Sequence, residues 1–178
     1  LLMDTDPMVR NGMPFEPPSP RYWMGTNSEG QDMLVQLIYG LRSSLYVGLL
    51  AGLIATVLGT AVGLAGGYTG GLVDNVLTMA TNLILVIPSL VILILISSSI
   101  EQRSLTLVAL IIGLTTWTWT ARAVRAQAAS LRARDHVSLA RLNGEGTLEL
   151  IVKQILPYIL SYVFMAFILQ MATGILSE

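Results

Sequence analysis

From residue 45 to residue 67 the chain carries no charged side chain. This run constrains the fold more than any other feature. As a helix of 23 residues it reaches about 34 Å, enough to cross the hydrocarbon core of a bilayer. Further apolar stretches at 73–96, 105–122 and 157–175 predict three more spans. Only 12% of the residues are charged and 53% are hydrophobic, whereas a soluble globular chain is about 25% charged. The mean hydropathy is +0.68. The expected fold class is all-α, a polytopic transmembrane helical bundle.

Charge sets the expected orientation. Of ten Lys and Arg, six lie between Arg122 and Lys153, against Asp135, Glu145 and Glu149, which leaves that stretch at +3. Residues 1–44 hold three Arg and five acids, a balance of −2. The positive-inside rule then puts 122–156 in the cytoplasm and 1–42 and 97–104 outside. Trp117 and Trp119 stand near the inner end of the third span, where an aromatic belt is expected. The Pro-rich residues 1–30 read as extended or irregular. Met33, Leu34, Leu37, Ile38 and Leu41 predict a short amphipathic helix over 31–42, lying at the interface ahead of the first span. An external segment with no span before it predicts that the chain is a fragment.

Within the spans, Gly48, Gly52, Gly59 and Gly63 form two G-x-x-x-G pairs, with Ala55 on the same face. Small residues four apart let a second helix approach closely. Helix packing is the expected use of this face, and lining a path is the other reading. The segment 66–71 reads as a turn. Asp74 suits the start of the second helix, and Pro88 should bend that helix near its middle.

The segment 123–156 is long for a connector and carries helical patterning. Asp135 can cap a short helix over 136–142, with Val137, Leu139, Ala140 and Leu142 as its apolar side. Gly144 and Gly146 break it. Thr147 can cap a second helix running through Leu150, Ile151 and Ile155 to Pro157. Such an elbow suits a rigid lever for a soluble partner. By pattern alone, an amphipathic loop resting on the bilayer fits equally.

The elbow resembles the "EAA" coupling loop of the membrane subunits of ATP-binding-cassette importers, whose members carry roughly Tyr-Val-Glu-Ala-Ala-Arg-x-x-Gly and then, about a dozen residues on, Ile-Leu-Pro. Here Val137, Ala140, Arg141, Gly144, Ile155, Leu156 and Pro157 match at the right spacing, while Ser138 and Leu139 replace the Glu and the first Ala. A second stretch, Tyr22-Trp-Met-Gly25-Thr26-Asn27-Ser-Glu-Gly30-Gln31-Asp32 followed by Ile38-Tyr39-Gly40, resembles the "C-type" permeases of dipeptide, oligopeptide and nickel importers. Asn27 and Gln31 stand where that branch usually has Asp and Arg.

The resemblance covers about residues 17–170 and implies the transmembrane domain of a type I importer, in the inner membrane of a prokaryote. It implies that Val137 to Arg141, Gly144 and Ile155 to Pro157 couple to the ATPases. It also implies a heterodimer with a sister permease, two cytoplasmic ATP-binding subunits and an external substrate-binding protein, all working by alternating access. Members of the branch have one span before this region and one after, in line with a fragment lacking both. Besides these proteins the implied partner is membrane lipid, with no nucleic acid. No cofactor is expected on the chain itself, with ATP and Mg on the ATPase subunits, and no enzymatic activity of its own.

Other chemistries find little support in the sequence. There is no cysteine, hence no disulfide or thiolate metal site. No metal-ligand spacing is visible, and Gly66-x-x-x-Gly70-Gly71 has no Lys to make a phosphate loop. His136, the one histidine, reads as a residue at a helix start. A secondary transporter or channel is the rival class, and the lack of ionised groups deep in the spans argues against it.

Overall fold

A computed structural model describes residues 6–99 and 104–177 of the chain. The residues 100–103, within the loop expected outside over 97–104, lie beyond the described residues. The fold is all-α. Its helices are α1 (Met33–Thr69), α2 (Gly71–Val86), α3 (Ser89–Ser99), α4 (Leu105–Arg132), α5 (Asp135–Leu142), α6 (Thr147–Leu150) and α7 (Leu156–Ser177), with a π-helical turn (Ile151–Ile155) joining α6 to α7. Two compact units divide the chain, 1–46 and 47–178.

Ahead of α1, the first unit is irregular, as expected, and held by hydrogen bonds. Two antiparallel bridges, Arg10 with Gln31 and Thr26 with Asp32, hold it. Tyr22 is buried, and its hydroxyl donates to the Asn11 carbonyl at 2.6 Å. The Thr26 hydroxyl donates to the Met13 carbonyl and accepts from the Glu16 amide. Asn27 Nδ2 donates to Gln31 Oε1 at 2.9 Å. The two positions expected to depart from the branch pattern are therefore hydrogen-bond partners. Asp32 caps α1 by accepting from the Leu34 amide at 2.8 Å.

Two expectations about helix boundaries need correction. The amphipathic helix at 31–42 and the first span are one helix, α1, because Arg42-Ser43-Ser44 contains nothing that stops a helix. The stretch 73–96 is not one helix bent at Pro88. It is α2 and α3, parted at Ile87 and Pro88. Pro88 lacks an N–H, and its ring forces the preceding residue out of helical space. Ile87 accordingly sits at φ −87° and ψ 119°. Among the described residues three helical stretches are long and apolar enough to cross a membrane: Met33–Thr69, Leu105–Arg132 and Thr147–Ser177. The 16 residues of α2 reach only about 24 Å.

In the second unit α4 packs against α2, α3 and α7. Ser104 starts α4 by accepting from the Leu107 amide at 3.1 Å. One apolar cluster joins Val47 and Ala51 of α1 to Ala109 and Ile112 of α4. A larger one gathers Leu64 and Tyr68 of α1, Val124, Ala128 and Leu131 of α4, Val137 and Ala140 of α5, and Leu150, Ile155 and Ile159 beyond. The second cluster carries the end of the bundle into the elbow.

Candidate functional site: the elbow and the seam that supports it

The elbow is α5, a reversal at Gly144, and α6 running through the π turn into α7. Val137 and Ala140, on one face of α5, are buried in the larger cluster, as are Leu150 and Ile155. Arg141 extends back to α1. Its guanidinium donates to the Tyr68 hydroxyl at 3.2 Å and lies 5.6 Å from the centre of that ring, a cation–π geometry. Arg132 donates to the Tyr68 carbonyl at 3.1 Å. The last turn of α1 is thus held through both main chain and side chain. His136 lies inside the elbow, with Nε2 3.3 Å from the Gln154 carbonyl and its ring 4.8 Å from that of Tyr158. It stands at the helix start, as expected.

Gly144 ends α5 at φ +87°. Its amide donates to the Arg141 carbonyl and the Glu145 amide to the Ala140 carbonyl, the paired bonds of a Schellman motif. A Cβ here would meet nothing within 4 Å, so the requirement for glycine is conformational only. Gly146, also expected to be a breaker, has φ −71° and equally open surroundings, and nothing there requires glycine. The expected caps also shift by one residue. Arg134 and Gly146 occupy the non-helical cap positions and make no side-chain capping bond, while Asp135 and Thr147 are already helical.

The opposite face of the elbow is bare. Leu139 is 61% exposed, Leu142 83% and Leu148 75%, with Ser138 and Val152 beside them in sequence and also exposed. Leu156 is half-buried and Pro157 exposed.

The glycine stripe of α1 meets other helices of this chain. A Cβ at Gly48 would lie 2.5 Å from Ile175 Cγ1, and one at Gly52 2.9 Å from the Met171 amide, both on α7. At Gly59 it would lie 2.7 Å from the Trp117 carbonyl, and at Gly63 2.6 Å from the Ala121 carbonyl, both on α4. Ala55 between them is fully buried.

Sequence reasoning missed three features here. Gly113 and Gly174 face α1 from the other side, where an added Cβ would lie 2.8 Å from Ile54 Cβ and 3.0 Å from Gly48 Cα respectively. Each is a lone glycine without a four-residue repeat. Arg125 clasps both carboxylate oxygens of Asp74, and Arg122 donates to Asn82 Oδ1 at 2.7 Å, tying α4 to α2 across about fifty and forty residues of sequence. Gln170 of α7 donates to the Thr116 carbonyl and to the Thr120 hydroxyl. Among the described residues no group of three His, Cys, Asp or Glu could hold a metal ion.

Apolar helices long enough to span, seamed by glycine and ending in an elbow locked to one of them, define a polytopic membrane protein of the helical-bundle class. Residues 55–177 match the family described as the binding-protein-dependent transport system inner membrane component, and the chain belongs to that family. It is the membrane domain of ABC importers, a multi-pass permease component of the inner membrane. The chain is similar to the oligopeptide transport system permease proteins of Mycobacterium tuberculosis (32% identical, covering 92% of this chain and 57% of that protein) and Salmonella typhimurium (38%, covering 88% and 52%). That of Bacillus subtilis is 28% identical, covering 92% and 53%. The chain therefore spans little more than half the length of these relatives.

Proposed function

We propose that this chain is a permease subunit of an ATP-driven importer of di- and oligopeptides, paired with a sister permease. Two cytoplasmic ATPase subunits, holding ATP and Mg, grip the elbow, and an external binding protein delivers the substrate. The observation that carries this reading is the two-faced elbow. Its inner face is fastened by Val137, Ala140 and the Arg141–Tyr68 contact, while its outer face presents Leu139, Leu142 and Leu148 to no partner in this chain. A push on the outer face passes to α1 through the Arg141–Tyr68 contact and to α7 through the continuous helix 147–177. Rigid helices rocking in response would open the path alternately to each side. The relatives' names support peptides as the cargo.

The test is co-purification with the ATPases. Gly144→Asp should lose the ATPases or uncouple them, with the membrane helices still folded. Normal transport by that variant with the ATPases bound would remove Gly144 from the docking elbow. Orientation is tested separately by Ser138→Cys. An impermeant thiol reagent should label it only in inverted vesicles, and labelling from outside intact cells would reverse the topology.

A further inference from the structure

A cavity of ≈ 720 Å³ opens between the end of α2, the break at Ile87 and Pro88, and one face each of α4 and α7. That volume lies in the range of small-ligand sites. No charged residue lines it, and its hydrogen-bonding side chains are those of Thr115, Thr116, Thr118, Trp119, Gln170 and Thr173. The protons of Thr115, Thr116, Thr173 and Gln170 are already committed. Thr116 donates to the Ile112 carbonyl and Thr173 to the Leu169 carbonyl, both at 2.9 Å, while Thr115 donates to Ile111 or Ile112. Gln170 is only 5% exposed. Its orientation is fixed because the Thr116 carbonyl can only accept, so the nitrogen faces α4 and Oε1 is turned away from that bond. The wall therefore offers mostly oxygen acceptors, with the half-exposed Trp119 indole and the buried Thr118 hydroxyl as the groups able to donate.

The break beside the cavity bears on what fills it. Non-helical backbone at membrane depth is stable where protein covers it or water reaches it, not where it meets lipid. Ile87 and Pro88 both line the cavity. We propose that this cavity is where this chain touches its cargo, and that it reads the N–H groups of a peptide main chain through the acceptors of Thr173, Thr116 and Gln170. With no fixed charge in the wall, side-chain charge on the peptide goes unread here. This assignment rests on the peptide-importer reading above.

The experiment uses the complete transporter in proteoliposomes, with ATP and the binding protein held constant so that its own selectivity cancels. Thr173→Val keeps the shape and removes one acceptor, so uptake of trialanine should fall about fivefold. Thr173→Ser should restore it. The loss should be equal for Ala-Lys-Ala and Ala-Glu-Ala. These 178 residues contain no cysteine, so with any cysteines elsewhere in the transporter replaced by serine, Thr173→Cys gives a single thiol. A charged methanethiosulfonate should reach it, and trialanine under turnover should slow that reaction, with Leu160→Cys as the unprotected control. Normal uptake by Thr173→Val, or labelling of Thr173→Cys by a membrane-soluble maleimide alone, overturns the cavity assignment while the importer reading stands. A wild-type transporter that takes up none of the three peptides overturns the importer reading, and the cavity assignment falls with it.

Discussion

Glycine serves the elbow and the bundle for opposite reasons. Gly144 has open space around its missing side chain and a left-handed backbone, whereas Gly52 and Gly59 have helical backbones and the main chain of a neighbouring helix about 3 Å from where a Cβ would stand. The elbow needs a conformation and the seam needs room. A small residue such as alanine satisfies neither requirement fully, but the cost scales differently with side-chain size. In the seam each added carbon must displace a packed helix, while at the turn the cost comes with the first Cβ and grows little after that.

The largest effect should come from filling the seam. Gly52→Leu or Gly59→Leu should destabilise the chain by about 3 kcal/mol through overpacking, read as thermal unfolding in mild detergent. Leu53→Ala, on the exposed part of the same helix, should do little. Equal tolerance at all three positions would mean the seam is not a packing contact. A medium effect is expected at the turn. Gly144→Ala should cost about 1 kcal/mol, and Gly144→Asn clearly less, because asparagine tolerates left-handed backbone. If Asn were as damaging as Ala, space rather than conformation would be limiting there, and the contrast would collapse. Gly146→Ala should change stability by less than about 0.5 kcal/mol, since that residue has neither demand. The smallest change in stability is expected at Leu142→Ser, on the bare face. There the fraction of ATPase that co-purifies should fall while the unfolding temperature holds. A lowered unfolding temperature would show that Leu142 packs within the chain.

These contrasts also explain what could be read from the sequence. The stripe of α1 was legible because four glycines repeat along one helix, and Gly144 because it follows an apolar helical pattern. Their partners Gly113 and Gly174 were not, since a single glycine in an apolar span carries no period. Asp74 fits a helix start and Arg125 belongs to a basic stretch. Nothing local says that they meet, because their pairing depends on how α2 packs against α4. Pro88 announced a disturbance, but whether a helix bends or breaks there depends on neighbours that take over the freed backbone groups. Asn27 and Gln31 stand four residues apart with no pattern that pairs them, and only the fold shows their 2.9 Å contact.

The π turn at Ile151–Ile155, where the Leu156 amide bonds five residues back to Ile151, holds one residue more than an α-helix would. One residue amounts to about 100° of rotation about a helix axis. The turn therefore works as a phase setting between the elbow and α7. It determines that Gly174 points at α1 and Gln170 at α4 while the bare face of the elbow keeps its own direction. A chain shortened by one residue there would keep every motif in its sequence and still present the wrong side of its last helix to the bundle.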